Sequence, residues 1–351
     1  MDIVNLLRNL SQASGISGYE TEVRDIVRQA LEPFADEFRV DTMGNLIATK
    51  RGRTPAGAPR RSIMLAGHMD EIGLIVKDIK DGYPRVTDVG GIDHRTLLGQ
   101  EVIVHGKRKL PGVIGSRPPH VLAPSDYEKP VPWDMLFIDT GLPEESLREV
   151  VQVGDLVTLR REFLELSEGY VSGKTFDDRA GVASLAVCLE MLAAMNHTWD
   201  VHAVSTIQEE TGLKGATVAA FGLSPDIGIA VDVGFGAQPG VSPEESIKMN
   251  EGPAMAIGPN VHPLMQARLA ETASKYEIPM QKEIIPGGSG TDGWAIQVAR
   301  CGVPTAVLSI PLRYMHTSVE TLNVKDVERT GRLMAMFISG LDEAFASQLG
   351  L

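Results

Sequence analysis

The sequence predicts an α/β protein: a mixed, mostly parallel sheet with helices on both faces, plus a small inserted β-barrel-like domain. Three observations support this fold class. Short apolar runs such as residues 201–207 suit strands that are buried on both faces. Helical stripes accompany these runs before residue 73 and after residue 167. Between residues 73 and 167, strand-like runs instead follow one another closely, with turn signals between them.

We therefore expect one α/β domain built from residues 1–72 and 168–351, with residues 73–167 inserted as a β-rich domain. The length of 351 residues accommodates two domains. The formal net charge of −13 makes nucleic acid and anionic membrane surfaces unsuitable partners. No apolar run is long enough to span a bilayer, and the N-terminus lacks signal-peptide features. We expect a cytoplasmic protein without a membrane partner.

The first 72 residues are expected to form two helices, a hairpin and a buried strand. A stripe at Ile3, Leu6, Leu7 and Leu10 predicts the first helix. Residues 17–20 have the Ser-x-x-Glu form of a capping box, which predicts the start of a second helix that ends near Pro33. Residues 38–40 and 46–48 flank a turn that contains Gly44 and predict a hairpin. The apolar run 63–66 predicts a buried strand that leads to His68.

In the inserted part, the expected strands lie near residues 74–76, 86–87, 101–104, 112–114, 135–138 and 156–158, with one helix at 144–151. His94, His105 and His120 in this part are expected to be structural. Beyond residue 167 we expect helices at 182–195, 216–221 and 260–276, strands at 201–207, 227–231, 280–285 and 306–310, a loop at 287–293, and a last helix with an apolar stripe at Val327, Leu333, Phe337 and Leu341. Cys188 and Cys301 have apolar neighbours and are expected to be core residues without a disulfide.

Side chains that can bind metals follow four of the predicted strands. They are His68, the pair Glu209 and Glu210, Asp232 and His316, and Asp177 adds a fifth position before a helix. Ligands bind beyond the carboxyl ends of strands in open α/β sheets, so these side chains are expected to converge. Two histidines and three carboxylates suit a pair of divalent ions such as Zn, Co or Mn. Taken singly, each also fits a structural role, such as helix capping for Asp177 and Asp178.

The motifs and their order resemble a known family. His68-x-Asp70, Asp177-Asp178-Arg179, Glu209-Glu210, Asp232 and Arg313-Tyr314-Met315-His316 occur in the order of dinuclear-metal aminopeptidases. The flanking sequences AGHMDEIG, QEETGLKGA and GGSGTDG are similar to those of the tetrahedral (TET) aminopeptidases, metallopeptidase family 42, which includes glutamyl, leucyl and lysyl aminopeptidases and endoglucanase-like members. The resemblance covers nearly the whole chain, including the insertion.

This resemblance implies a role for each residue. Asp177 would bridge two metals, His68 and Asp232 would complete the shell of one, and Glu210 and His316 that of the other. Glu209 would be the general base, and Asp70 would orient His68. The resemblance also implies a cis peptide bond between Asp177 and Asp178. It further implies a homo-oligomer in which the insertion forms dimers that assemble into a tetrahedral dodecamer.

The leading hypothesis is a metal-dependent aminopeptidase that removes N-terminal residues from peptides. A bridging water would be activated by the two divalent ions and would lose its proton to Glu209. A second hypothesis is hydrolysis of other amides, such as N-acyl amino acids, by the same metals. An endoglucanase-like glycosidase is disfavoured because adjacent Glu209 and Glu210 do not naturally span a sugar. A binding scaffold without enzymatic activity is the remaining alternative.

Overall fold

A computed structural model describes residues 1–122 and 129–351. The helices of this part of the chain are α1 (Ile3–Gln12), α2 (Thr21–Leu31), α3 (Glu144–Val150), α4 (Phe176–Ala193), α5 (Lys214–Leu223), α6 (Pro263–Lys275), α7 (Asp292–Gln297), α8 (Val324–Ser339) and α9 (Glu343–Leu349). Its strands are β1 (Glu37–Val40), β2 (Leu46–Lys50), β3 (Ser62–His68), β4 (Gly73–Lys80), β5 (Tyr83–Val89), β6 (Glu101–His105), β7 (Lys109–Gly115), β8 (Phe137–Asp139), β9 (Leu156–Leu159), β10 (Leu164–Glu165), β11 (Tyr170–Gly173), β12 (Asp200–Thr206), β13 (Ile227–Phe235), β14 (Ala254–Ile257), β15 (Gln281–Ile284), β16 (Thr305–Leu312) and β17 (Glu320–Asn323).

The largest sheet contains eight strands in the order β1-β2-β12-β3-β13-β16-β14-β15. Its central strands β12, β3, β13 and β16 are parallel. The hairpin β1-β2 pairs with β12 in antiparallel fashion, and β14 is antiparallel to β16. The prediction of a mixed, mostly parallel sheet is therefore confirmed. It succeeded because strands buried on both faces are nearly continuous apolar runs.

Helices cover this sheet and complete its core. α4 contacts β3, β13, α1 and α8, whereas α5 and α7 contact each other, with α7 against β13. These elements enclose one large apolar cluster that includes Leu65, Val204, Ile229 and Phe337. The rigid core holds the carboxyl ends of the parallel strands in fixed relative positions, because closely packed interiors resist local shifts.

The insertion is a separate six-stranded antiparallel sheet in the order β5-β4-β9-β6-β7-β8. Its two edge strands lie against each other: the rings of Tyr83 and Phe137 are 5.0 Å apart, and Arg85 donates to the backbone oxygen of Leu136. The sheet is thus nearly closed into a barrel, as the sequence predicts. It encloses its own apolar cluster, which runs from Leu74 to Leu159.

The two apolar clusters support the expected domain division. Met69 and Phe163 belong to the large cluster, whereas residues between them fill the small one. We propose residues 1–72 and 168–351 as a main domain and residues 73–167 as the inserted domain, whose last residues pack on the main domain through Phe163 and β10.

Within the described ranges, no helix is both long and apolar enough to cross a membrane.

Four local predictions need correction. Residues 17–20 form no capping box: α2 begins after Glu20, whose carboxylate instead accepts hydrogen bonds from the backbone of Gly18 and Gln208. β13 does not end at Asp232 but continues to Phe235. The last predicted helix stops at Ser339, so Leu341 lies beyond α8. Cys188 is buried as expected, but Cys301 is exposed.

Candidate metal centre and active site

The carboxyl ends of four parallel strands define the site. His68 is the last residue of β3, Glu209 and Glu210 follow β12, and His316 follows β16. Asp232 lies inside β13, beside Ser309 of β16. Neighbouring parallel strands end at the same edge of a sheet, so these residues come together although they are far apart in sequence.

Asp177 lies between the two histidines. Its Oδ1 is 3.1 Å from Nε2 of His68, and its Oδ2 is 3.2 Å from Nε2 of His316. Nε2 of His316 also lies 3.4 Å from Oε1 of Glu210. The Asp177–Asp178 peptide bond is cis, as the resemblance implies, and both residues have non-helical backbone angles at the start of α4. The two oxygens of one carboxylate thus face two separate imidazoles.

Two overlapping groups of side chains could each hold a metal ion. One consists of His68, Asp178 and Asp232, and the other of His68, Asp177 and Glu210. Within each group the ligand atoms lie within 4.8 Å of one another. Imidazole nitrogens and carboxylate oxygens are ligands that suit Zn, Co and Mn. The donor set therefore fits divalent cations.

The electrostatics of these residues agree with that fit. Burial raises the pKa of Asp232 and Asp178 well above the usual value, and burial raises the pKa of Glu209 to about 10. Asp177 is also buried, but hydrogen bonds with His316 and His68 lower its pKa. Hydrogen bonds to Asp177 and Glu210 raise the pKa of His316 to about 11. Carboxylates that are crowded in this way need protons or bound cations to offset their mutual repulsion.

Asp70 connects His68 with the turn after β12. The Nδ1 atom of His68 lies 3.2 Å from the backbone oxygen of Asp70 and 3.5 Å from its Oδ1. The Asp70 carboxylate also accepts hydrogen bonds from the backbone nitrogens of Glu209 and Glu210 and from the hydroxyl of Ser17. Asp70 therefore holds the imidazole through its backbone oxygen and the loop that carries the two glutamates through its carboxylate.

Glu209 is positioned beside this cluster. Its Oε2 lies 3.9 Å from Nε2 of His68, and the residue is 8% exposed. It lines a cavity of about 270 Å³ together with His68, Asp177, Glu210, Asp232 and His316. A carboxyl group in this cavity can reach a small molecule held against the other five side chains.

Sequence reasoning gave two carboxylates no role at the site. Asp178 accepts hydrogen bonds from the backbone nitrogens of His68 and Gly181, and its position next to Asp177 was the available signal. Glu320 is buried and accepts from the backbone nitrogens of Asp177 and His316. Burial raises the pKa of Glu320 to about 8. No local pattern identified Glu320, because it opens β17 in a small sheet with β10 and β11 that was not predicted.

An α/β sheet that gathers histidines and carboxylates at its strand ends is suited to a metal-dependent enzyme. The profile of one peptidase family, described as M42 glutamyl aminopeptidase, matches residues 44–333. The chain belongs to this M42 peptidase family.

Individual proteins agree with the family assignment. A lysyl aminopeptidase from Pyrococcus furiosus is 37% identical, and the alignment covers 96% of each chain. The TET aminopeptidase of a marine-sediment thaumarchaeon has a TM-score of 0.92 at 34% identity, with 99% of this chain and 98% of that chain covered. A structure titled as the PhTET1-12s dodecamer has a TM-score of 0.84 at 33% identity, covering 97% of this chain and 100% of that chain. These findings confirm the predicted family, fold class and activity: the chain is a metal-dependent aminopeptidase. They do not favour the deacylase, glycosidase or scaffold hypotheses.

Proposed function

We propose that this enzyme removes N-terminal residues from peptides at a centre of two divalent ions. The observation that carries the proposal is the Asp177 carboxylate, whose two oxygens face His68 and His316 in one cavity with Glu209. Asp177 would bridge the ions, His68 and Asp232 would hold one, and Glu210 and His316 the other. The ligands suit Zn, Co and Mn alike.

When bound, the ions would polarise the peptide carbonyl and lower the pKa of a water molecule to about 7. Glu209 would accept the proton of that water and pass it to the leaving amine. Without cations, burial raises the pKa of Glu209 to about 10, which would keep this carboxyl protonated at neutral pH. Two cations nearby would favour its ionised form and so make it a base. Asp70 would hold the Glu209 loop through the hydrogen bonds that its carboxylate accepts from Glu209 and Glu210, and His68 through its backbone oxygen.

Replacement of Glu209 by Gln tests this assignment. The amide keeps the shape of the side chain but cannot accept a proton, so we expect kcat to fall by about 100- to 10,000-fold. Metal content, measured by mass spectrometry of the purified protein, should stay at the wild-type value because Glu209 is not assigned as a ligand. Glu244→Gln, an exposed carboxyl outside the cavity, is the matched control. Wild-type turnover in Glu209→Gln would refute the role.

We also propose that the chain forms a homo-oligomer, with dimers made through the inserted domain and assembled into a tetrahedral dodecamer. The support is the similarity to a protein whose structure is titled as a dodecamer. Light scattering of the purified protein tests this, and a monomeric mass would contradict it. The cytoplasmic location stays a prediction from the sequence.

A further inference from the structure

One wall of the active-site cavity carries an acidic side chain that the proposed mechanism does not use. Glu283 of β15 lines the same cavity as Glu209 and the proposed metal ligands. Its Oε2 accepts a hydrogen bond of 2.5 Å from Oγ of Ser309. Since Glu283 lies two strands away from β16, this hydrogen bond anchors the carboxylate over the sheet and inside the cavity.

The position of Ser309 relates Glu283 to the metal centre. Ser309 pairs with Asp232 on the neighbouring parallel strand, and both side chains line the cavity. Adjacent strands lie about 4.8 Å apart. One strand spacing and one hydrogen bond therefore separate Asp232 from the Glu283 carboxylate. An extended side chain of lysine length, starting from a substrate residue at the metal centre, can bridge that separation.

Within the described part of the chain, Glu283 makes no ion pair with a lysine or arginine of this cavity. Among the described residues that line this cavity there is no lysine and no arginine. Glu283 is half-buried, and burial raises its pKa while the hydrogen bond from Ser309 opposes the rise. A desolvated carboxylate of this kind is stabilised by a cation that approaches it within hydrogen-bond distance.

The shape of the cavity beside Glu283 suits an aliphatic chain. Gly234 lies directly against Glu283: a Cβ atom there would lie 2.9 Å from Cδ1 of Ile247, 3.0 Å from Cβ of Ser309 and 3.1 Å from Oε1 of Glu283, so a glycine is needed for the carboxylate to occupy this wall. Phe235 and Ile285 add apolar surface to the same lining. Apolar walls that end in a carboxylate match a side chain with a methylene stem and a positive end.

We propose that Glu283 is a specificity residue that selects peptides with lysine or arginine at the N-terminus. The inference rests on the proposed function, because it places the N-terminal residue between the metal centre and Glu283. The methylene stem packs along Phe235 and Ile285, and the ammonium or guanidinium group pairs with the carboxylate. An N-terminal glutamate is disfavoured because its carboxylate would face Glu283 without a cation between them.

The decisive comparison uses lysyl and norleucyl p-nitroanilides, whose side chains differ by the terminal ammonium group. For the metal-loaded wild-type enzyme we expect kcat/KM to favour lysine by about 10- to 100-fold, the value of one charge-assisted hydrogen bond. In Glu283→Gln, which keeps the shape and the contact with Ser309, this ratio should approach one while norleucine turnover is retained. Glu328→Gln removes an exposed charge on α8, away from the cavity, and should leave the ratio unchanged.

Two results would overturn the inference. One is a wild-type enzyme that does not prefer lysine over norleucine. The other is an equal loss for both substrates in Glu283→Gln, which would indicate that Glu283 binds the common α-amino group. Calorimetry with free L-lysine and L-norleucine separates this failure from that of the proposed function. If no substrate is cleaved, tighter binding of L-lysine than of L-norleucine that disappears in Glu283→Gln still supports the cation site. Equal affinities of the wild type for the two amino acids reject it.

Discussion

Two clusters of buried charged residues lie next to each other in the main domain, and their charge balance differs. The first, the ion cluster, consists of Glu71, Lys174 and Arg179. Lys174 contacts Oε2 of Glu71 at 2.5 Å, and Arg179 contacts Oε1 at 3.2 Å. The second is the candidate metal centre, where the imidazoles of His68 and His316 are surrounded by the carboxyl groups of Asp177, Asp178, Glu209, Glu210 and Asp232. The single carboxylate of the ion cluster has two cationic partners, whereas the carboxyl groups of the candidate metal centre outnumber its imidazoles.

The pKa values show what this difference means. Burial alone would raise the pKa of Glu71, but Lys174 and Arg179 outweigh burial and lower it. In the metal centre, burial and neighbouring carboxylates instead raise the pKa of Asp178 and Asp232. A buried carboxylate that has cationic partners within the chain therefore stays ionised without a metal, whereas a cluster with excess carboxylates creates a place for cations. Burial of charge by itself does not distinguish a functional site from a structural one.

The largest expected effect on stability comes from disrupting the ion cluster. Lys174→Met leaves Glu71 buried with Arg179 as its single cationic side-chain partner among the described residues. We expect the free energy of unfolding to fall by about 3 kcal/mol, because Oε2 of Glu71 and the backbone oxygen of Ala13 both lose their buried cationic donor. Urea unfolding monitored by circular dichroism measures the change.

The double variant Glu71→Gln/Lys174→Met is the control for this prediction. It removes both charges of the pair, while Arg179 keeps its backbone acceptors at Met69, Leu10 and Ala13. Because Arg179 then loses its ion pair with Glu71, we expect the double variant to be no more stable than Lys174→Met. A single variant as stable as the wild type would contradict the comparison between the two clusters.

The same contrast explains what the sequence could predict. Buried strands were found from their apolar runs, and His68, Glu209, Glu210 and His316 were located because they follow such runs. Asp232 was placed at a strand end because a carboxylate interrupts the apolar run, although β13 continues through Val233 and Phe235. The extension of β13 to Phe235 depends on its pairing with β16, a strand that is distant in the sequence.

Other parts of the site depend on tertiary contacts that no local pattern encodes. The positions of Glu283 and Glu320 depend on hydrogen bonds with Ser309 on another strand and with the backbone of Asp177. The Ser17–Glu20 pattern was misinterpreted for the same reason. Both side chains bond to distant elements, Ser17 to Asp70 and Glu20 to the backbone of Gln208. Long-range hydrogen bonds here prevail over the local capping preference.

A second prediction concerns the pH dependence of the metal-free protein. Burial raises the pKa of Glu209 from the ordinary value of 4.5 to about 10 in the folded chain. Between these two pH values the folded state therefore binds a proton that the unfolded state has lost. The stability that this group contributes is therefore lost as pH rises through that window, by up to about 1.4 kcal/mol per pH unit for each such group. Asp178 and Asp232 act in the same direction.

Thermal unfolding from pH 6 to pH 8 tests this prediction on chelator-treated and metal-reloaded protein. The metal-free Tm should fall as pH rises, and the loss should be smaller after reloading because cations take over the role of the protons. The lowered pKa of Asp177 has the opposite effect on stability. That effect acts only at pH values below the ordinary pKa of 3.8, which lie outside the tested range. Parallel curves for the two forms would argue against a cation-binding cluster.

The smallest expected effect is at an exposed ion pair between the two domains. Lys109 of β7 contacts Glu22 of α2 at 2.7 Å, with side chains that are 59% and 46% exposed. Water screens such a pair, so Lys109→Gln should lower the free energy of unfolding by less than about 1 kcal/mol, and moderate salt should remove the difference. Urea unfolding at low and high salt measures both effects. A decrease in the free energy of unfolding as large as that of Lys174→Met would contradict this prediction. It would mean that solvent exposure does not determine how much an ion pair contributes to the stability of this chain.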